Sequence, residues 1–323
     1  MECVQSPYQQ GVLSVKAIAV QRYGGPEVLE LMDLPEPRLG PDVVLVRVKY
    51  AGVNPADWKI REGYIDDWFE SHFPLVMGCD MAGVVERTGL GVTEFSPGDE
   101  VVGYVRADHM QRGTYGELVA APVRTLAHRP RALDWRQSAG LPAAGLTAYQ
   151  ALRRHLEIAA GEVLLVHAAA GGVGSLAVQI GRALGARVIG TASERNHDFL
   201  RSLGAEPVAY GPGLADRVHA LAPEGVDAVF DLMGGDTLAG SPALLRPGGR
   251  LASISGDVTR LGGRYVFVRP DPADFAELVA MADRGAVRVH VSAEFPLSDA
   301  VRAHELVQTG HVRGKVVLAV DPS

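Results

Sequence analysis

The segment over residues 163–193, VLLVHAAAGGVGSLAVQIGRALGARVIGTAS, limits the possible folds more than any other part of this chain. An apolar strand pattern runs into Ala169-x-Gly171-x-x-Gly174, and an amphipathic helix pattern follows. Backbone that must touch a pyrophosphate at a helix N-terminus has no room for side chains, so glycine is required there. The first glycine of the usual G-x-G-x-x-G is Ala169 here, a small substitution. The strand–turn–helix setting raises this above a glycine-rich turn of an ordinary α/β protein, which is the competing reading. The expected phosphate cradle is Ala170, Gly171, Gly172, Val173 and Gly174, with Gly174 also allowing close helix–strand packing. Residues 163–181 are uncharged and long enough to raise the question of a membrane span. Three glycines in the middle make a strand, a turn and a helix the better account.

The rest of the chain divides around this unit. Its 323 residues suggest about two domains. Residues 15–136 carry short β-rich runs punctuated by proline and glycine, the pattern of a compact β-barrel-like domain. From residue 137 strand and helix patterns alternate, as in right-handed βαβ units with a parallel sheet covered on both faces. Strands are expected over 163–168, 187–192, 207–210, 226–231, 250–255 and 265–268. A helix is expected over 143–155 and another over 271–285. Residues 287–323 return to strand, helix and strand. The first 14 residues are polar, lack a basic segment followed by an apolar one, and read as a flexible extension without a secretory signal.

Composition removes several function classes. A formal net charge of −7 argues against nucleic acid as the main partner. Two cysteines, Cys3 and Cys79, allow at most one disulfide and no four-cysteine zinc site, which points to the cytoplasm. The motifs of serine hydrolases, P-loop enzymes and HExxH proteases are absent.

The cofactor choice is read at the end of the second strand of the parallel unit. An NAD site usually places an acidic residue there for the ribose 2′-hydroxyl. Here the position is Ser193, with Arg195 just beyond, a pair suited to a 2′-phosphate. Glu194 opposes this reading but is expected to point away, and a solvated helix-start residue is the alternative for Arg195. NADPH is therefore the expected cofactor. Ser253 and Ser255, at a strand C-terminus of the open sheet, are expected near the nicotinamide.

Seven segments together resemble the zinc-free branch of the medium-chain dehydrogenase/reductase superfamily, the NADPH-dependent quinone oxidoreductases and enone reductases. They are YGGPEVLEL (23–31), VKYAGVNPADWKIREG (48–63), FPLVMGCDMAGVV (73–85), GDEVVG (98–103), LPAAGLTAYQAL (141–152), HAAAGGVGSLAVQ (167–179) and GHVRGKVVL (310–318). The resemblance implies a GroES-like β-rich catalytic domain from residues 15–136 and 287–323, joined to a Rossmann doubly wound parallel-sheet domain over residues 137–286. The site would lie in the cleft between them. It also implies a homodimer, a small-molecule quinone or α,β-unsaturated carbonyl as partner, and neither nucleic acid nor membrane.

Zinc-dependent relatives place a cysteine where this chain has Asn54, a His-Glu pair where it has Cys79 and Asp80, and a third ligand near Ala143. Three or four donors are needed, so no metal is expected. Cys79 then reads as a small residue rather than a nucleophile. Hydride transfer to an activated C=C or a quinone needs a donor for the developing oxyanion and a source of one proton. The resemblance offers Asn54 at the former metal position, Lys59 in the family's NPxDxK pattern, and Tyr64. Each has a structural alternative: Asn54 as a helix cap, Lys59 as a solvated helix residue, Tyr64 as a rim aromatic. Asp57 reads as a structural acceptor at the helix start. For the cofactor the resemblance adds Thr147 and Tyr210, the latter with a buried aromatic as its alternative. Arg313 and Lys315 either reach the cofactor or are surface charges. Two rival functions remain open, an enoyl-thioester reductase and a non-enzymatic NADPH-binding protein.

Overall fold

A computed structural model describes residues 14–321, so the expected extension lies outside the described residues except for Ser14, which opens the first strand. The proline and glycine breaks of the N-terminal part yield short strands: β1 (Ser14–Val20), β2 (Glu30–Pro35) and β3 (Val43–Val53). Helix α1 (Pro55–Arg61) follows, then β4 (Glu70–Ser71), β5 (Leu75–Val76), β6 (Asp80–Thr88), β7 (Glu100–Tyr104), β8 (His109–Met110), β9 (Leu118–Pro122) and β10 (Leu126–His128). The long strand β3 is the axis of this domain. It pairs antiparallel with β6 through Gly52 and Asp80, and with β9 through Val46 and Val119. Val44, Val46 and Val48 alternate inward against Val85, Val101 and Val119 to form one apolar core.

Two helices, α2 (Trp135–Gly140) and α3 (Pro142–Gln150), lead into the second domain. It contains β11 (Val163–Val166), α4 (Gly172–Ala183), β12 (Arg187–Ala192), α5 (His197–Ser202), β13 (Glu206–Ala209) and α6 (Leu214–Leu221). It continues with β14 (Val226–Asp231), α7 (Gly235–Gly240), β15 (Leu245–Ser253), β16 (Arg264–Tyr265) and α8 (Pro272–Asp283). The six strands run in the order β13-β12-β11-β14-β15-β16, and every pair is parallel. Leu164 and Val166 pack with Leu176 of α4 and Phe275 of α8, while Leu165 faces Val218 of α6 and Leu238 of α7. The sheet is thus covered on both sides, and its strand order reverses between β11 and β14, where open α/β sheets hold their ligands.

The chain then returns to the first domain as β17 (Val291–Pro296), α9 (Ala300–Gln308) and β18 (Lys315–Ala319). Strand β18 lies between β3 and β17, antiparallel to the former and parallel to the latter. Among the described residues no helix is long and apolar enough to cross a membrane.

Three expected elements differ. The strand over 265–268 shrinks to β16, because β15 ends at Ser253, the partner of Tyr265, and nothing further on β15 is available to pair. The strand expected from residue 287 begins only at Val291, where the ladder with Lys315 starts. The helix over 143–155 is α-helical to Gln150 and closes with a π-helical turn.

Gly174 is required by space. A Cβ there would stand 2.3 Å from the Ala168 carbonyl oxygen and 2.7 Å from the Ala169 Cα, both backbone atoms that cannot yield. Gly174→Ala is therefore expected to cost about 1–3 kcal/mol by overpacking, read as a fall in Tm. A Tm equal to that of the wild type would contradict this packing.

Candidate active site

The register of β3, β6 and β18 assembles a buried polar cluster at the edge of the cleft. Val53 pairs with Val316, so Asn54 and Lys315, the next residues outward, meet side by side. Gly52 pairs with Asp80, which brings that carboxylate under both. No side chain fits at Gly52, since a Cβ would lie 2.4 Å from the Ala139 carbonyl oxygen and 2.9 Å from the Asp80 Cβ. Its absence lets α2 and Asp80 approach the strand.

Lys315 is 4% exposed and Asp80 fully buried. The Lys315 ammonium donates to Asn54 Oδ1 and to the Val53 carbonyl at 3.2 Å, and stands 3.6 Å from Asp80 Oδ2. Asn54 Nδ2 donates to Asp80 Oδ2 at 2.9 Å and lies 3.6 Å from the Cys79 sulfur. The other Asp80 oxygen accepts the Ala143 N–H at 2.8 Å, at the N-terminus of α3, where the helix dipole favours negative charge. Burial raises the Asp80 pKa, and the Lys315 ammonium opposes that rise. Cys79 is half-buried, not fully buried as its small size suggests, and desolvation, with the Asp57 and Asp80 carboxylates, pushes its thiol well above its usual range.

Asn54 occupies the N-cap position of α1, but its side chain is used on Lys315 and Asp80. The cap contact runs the other way, from the Asn54 N–H to Asp57 Oδ2 at 2.7 Å. The Tyr115 hydroxyl donates to the same oxygen at 2.9 Å. Asp57 is buried with its second oxygen unpartnered, and burial raises its pKa to about 7.

The glycine loop meets this cluster from the other domain. Gly314 N–H donates to the Ala170 carbonyl at 2.9 Å, and Gly171 and Gly314 form a parallel bridge. The Lys315 stem then passes Gly172, whose added Cβ would sit 3.0 Å from the Lys315 Cδ. The loop begins with Ala168 at φ +51°, an unfavourable region for alanine. Thr191 of β12 holds that bend: its hydroxyl accepts the Ala168 N–H at 3.2 Å, and its carbonyl accepts the Ala169 N–H at 2.9 Å. His167, fully buried between Thr191 and Ser241, has its pKa pushed down to about 4 by burial and stays neutral. Gly171, Gly172 and Val173 are partly open, while Ala170 and Gly174 are buried.

At the end of β12, the Ser193 hydroxyl accepts from Asn196 Nδ2 at 3.2 Å, and Arg195 is exposed. Arg313 arrives from the C-terminal return, donating to Asn196 Oδ1 at 2.8 Å and stacking over Phe199 at 5.3 Å. Tyr210 is 60% exposed, which removes the buried-aromatic reading. Thr147 is buried, and its hydroxyl donates to the Ala143 carbonyl at 2.6 Å within α3. Ser253 is buried, its hydroxyl donating to Asp231 Oδ2 at 2.7 Å and accepting the Ser255 N–H at 2.9 Å. Asp231 in turn accepts the Met233 and Gly234 amides, so this group ties the ends of β14 and β15 together.

The structure thus joins Asn54 to Lys315, and Lys315 to the glycine loop. It corrects the surface-charge reading of Lys315, because the β3–β18 register draws the side chain inward. It does not bring Lys59 or Tyr64 to that cluster. Lys59 is exposed with its ammonium 5.8 Å over the Trp58 ring, and Tyr64, 70% exposed, touches the same ring edge-on at 6.0 Å. Asp80 and Tyr115 were not singled out as site residues. An aspartate opening the otherwise apolar run DMAGVV was the available signal, since an acid is rarely buried without a partner.

Removing one member of the Lys315–Asp80 pair leaves the other buried and uncompensated. Lys315→Met is expected to destabilise by about 3 kcal/mol or more, with Asp80→Asn in the same chain recovering much of the loss. Strictly additive costs in a denaturant double-mutant cycle would show that the two do not interact.

Comparisons with known proteins bear on this geometry. Residues 40–131 match the alcohol dehydrogenase GroES-like domain, and residues 203–318 match the zinc-binding dehydrogenase family. The chain is 36% identical over 329 residues to a quinone oxidoreductase of Pseudomonas aeruginosa, covering 94% of this chain and 99% of that one. It is 34% identical over 314 residues to the chloroplastic NADPH-dependent alkenal/one oxidoreductase of Arabidopsis thaliana, covering 94% of this chain and 79% of that one. The solved quinone oxidoreductase of Coxiella burnetii superposes with a TM-score of 0.84 at 36% identity, over 95% of this chain and all of the other. A GroES-like domain, a Rossmann sheet in the order that binds dinucleotides, and full-length similarity at this level lead to one conclusion: the chain is an oxidoreductase of the medium-chain dehydrogenase/reductase family, in its quinone oxidoreductase and alkenal/one oxidoreductase group.

Proposed function

We propose that this enzyme uses NADPH, without zinc, to reduce a quinone or the activated C=C of an enone or enal. The observation that carries the reading is Lys315, an ammonium buried where the zinc-dependent relatives gather metal donors and bonded to Asn54 from beside the glycine loop. A fixed positive charge there repels a metal dication. The remaining donors, Asn54, Cys79 and Asp80, include one sulfur whose thiolate is disfavoured by burial. This donor set does not fit zinc, and among the described residues no group of three or more His, Cys, Asp or Glu is placed to hold a metal.

The nicotinamide cofactor fits. The cradle from Ala170 to Gly174 has backbone where side chains would intrude, at the N-terminus of α4. Ser193 and Arg195 are the groups for a 2′-phosphate, with the Arg313 guanidinium beside them. Thr147, Tyr210, Ser253, Ser255 and Lys315 would complete the cofactor contacts. Bound NADPH supplies the hydride, and one proton from elsewhere completes the reduction to quinol or saturated carbonyl. The chain's residues supply placement and charge. Lys315 puts a positive field in the cleft that favours a developing oxyanion. Asn54 holds that ammonium in position, its own amide being anchored on Asp80. Lys59, on the exposed side of α1, and Tyr64, in the turn beyond it, have the solvent access that proton delivery requires. The enzyme is taken to be homodimeric, as the resemblance implies, and cytoplasmic, on its low cysteine content.

The test is NADPH consumption with a quinone, an alkenal and an enoyl thioester in parallel, with and without a chelator. Turnover of the first two, unchanged by the chelator, is expected. Turnover confined to the thioester would establish an enoyl-thioester reductase, and tight NADPH binding without turnover a binding protein. Separately, Arg195→Ala is expected to raise the KM for NADPH about ten-fold and to leave that for NADH nearly unchanged. An equal effect on both would remove Arg195 from 2′-phosphate recognition.

A further inference from the structure

Arg106 stands at the mouth of the cleft without a partner for its charge. It follows Val105, whose N–H donates to the Cys79 carbonyl at 2.7 Å, so it begins one residue from the wall of the buried cluster. Its guanidinium lies beside two rings, 5.5 Å from Phe69 of the first domain and 5.3 Å from Phe267 of the second, which stack on each other with centroids 6.1 Å apart. Phe267 follows Tyr265, which pairs with Ser253 at the C-terminal edge of the parallel sheet. Trp68 closes the group, 5.5 Å from Phe267 and 6.3 Å from Tyr265. Arg106 therefore spans the cleft from the Asn54–Cys79 side to the edge where the nicotinamide end of a dinucleotide belongs.

The rings stabilise the cation by their faces but accept none of its five N–H donors. The Arg106 backbone N–H donates to the Tyr104 carbonyl at 3.1 Å, but among the described residues no carboxylate, carbonyl or hydroxyl accepts from its guanidinium, whose Nε is buried and unpartnered. Most arginines close to acids in this acidic chain are paired, as Arg129 with Glu100 and Arg187 with Glu206. A planar guanidinium held against two rings, with its Nε buried and unpartnered, is suited to an oxyanion, and carboxylate is the group that its fork matches best.

We infer that Arg106 is a specificity-determining residue that recognises acceptors carrying a carboxylate, so that the substrate class is an enone or quinone acid rather than a neutral one. This rests on the oxidoreductase reading above and narrows its substrate. Orientation follows: with the carboxylate on Arg106 at the cleft mouth, the reducible end of the acceptor reaches inward toward Lys315.

Two matched probes test it on the holoenzyme: acetylacrylate, an enone ending in a carboxylate, and its methyl ester. Their saturated counterparts, levulinate and methyl levulinate, serve for calorimetry in the presence of NADP⁺ without turnover. The wild type is expected to favour each acid over its ester, with the preference weakening as salt rises. Arg106→Gln is expected to lower the acid-to-ester ratio, in both binding and kcat/KM, by about ten- to a hundred-fold, chiefly through Kd and KM. Arg106→Lys should keep part of it. An acid-to-ester ratio that is the same in wild type and Arg106→Gln overturns the proposal, as does a wild-type preference for the esters. Should Arg106→Gln not fold, the wild-type acid-to-ester ratio and its salt dependence decide alone, and a ratio near one overturns it. Failure of the wild type to oxidise NADPH with acid, ester and simple quinone alike overturns the oxidoreductase reading itself, and the proposal with it.

Discussion

A buried ammonium between a buried carboxylate and an amide oxygen is the constraint around which this molecule is arranged. Taking Lys315 and Asp80 out of water carries a desolvation penalty of several kcal/mol per ion, which only close pairing and further hydrogen bonds offset. Each bond that offsets it comes from a different part of the chain: Asn54 from the end of β3, Ala143 from the start of α3, Lys315 from the last strand. The arrangement exists only when the C-terminal strand is inserted beside β3 and the linking helix abuts β6. Folding of the first domain is therefore completed by residues that the chain makes last.

The same lysine couples the two domains chemically. Its backbone neighbour Gly314 bonds the glycine loop, and a side chain at Gly314 would strike the His290 carbonyl oxygen at 2.2 Å. The glycine loop and the polar cluster thus meet at one short segment, residues 313–315, in which Arg313 faces the end of β12 and Lys315 faces Asn54. Behind the cradle, neutral His167, Thr191, Ser241, Asp231 and Ser253 hold the ends of the central strands in a network of neutral donors and one carboxylate. Asp231 is its one carboxylate, held at the ends of β14 and β15 by the Ser253 hydroxyl and the Met233 and Gly234 amides.

The glycine loop was legible in the sequence because its requirement is local: a strand, small residues at fixed spacing and a helix, all within one stretch of chain. The alternation of strands and helices was legible for the same reason, whereas the strand order came only from the structure. Boundaries failed where pairing decided them, as at Val291, whose strand starts only where Lys315 offers a partner. The polar cluster was legible only in part. Asn54 stood out in the NPADWK segment, whereas Lys315 read equally as a surface charge and Asp80 passed as a departure from a metal pair. A lysine and an aspartate separated by more than two hundred residues carry no local sign that they will share one dry pocket.

From its residues alone the chain determines a strand, glycine turn and helix within a βαβ unit, a β-rich N-terminal part with a strand–helix–strand return at its end, and the absence of an acidic residue at position 193. These follow from backbone space, periodicity and charge, which are properties of short segments. Only the tertiary structure decides that Lys315 is buried on Asn54, that Asp57 sits dry beneath Tyr115, and that Arg106 lies against rings of two domains. Those facts depend on strand register and on domain apposition, and both are settled by what packs against what across the whole chain.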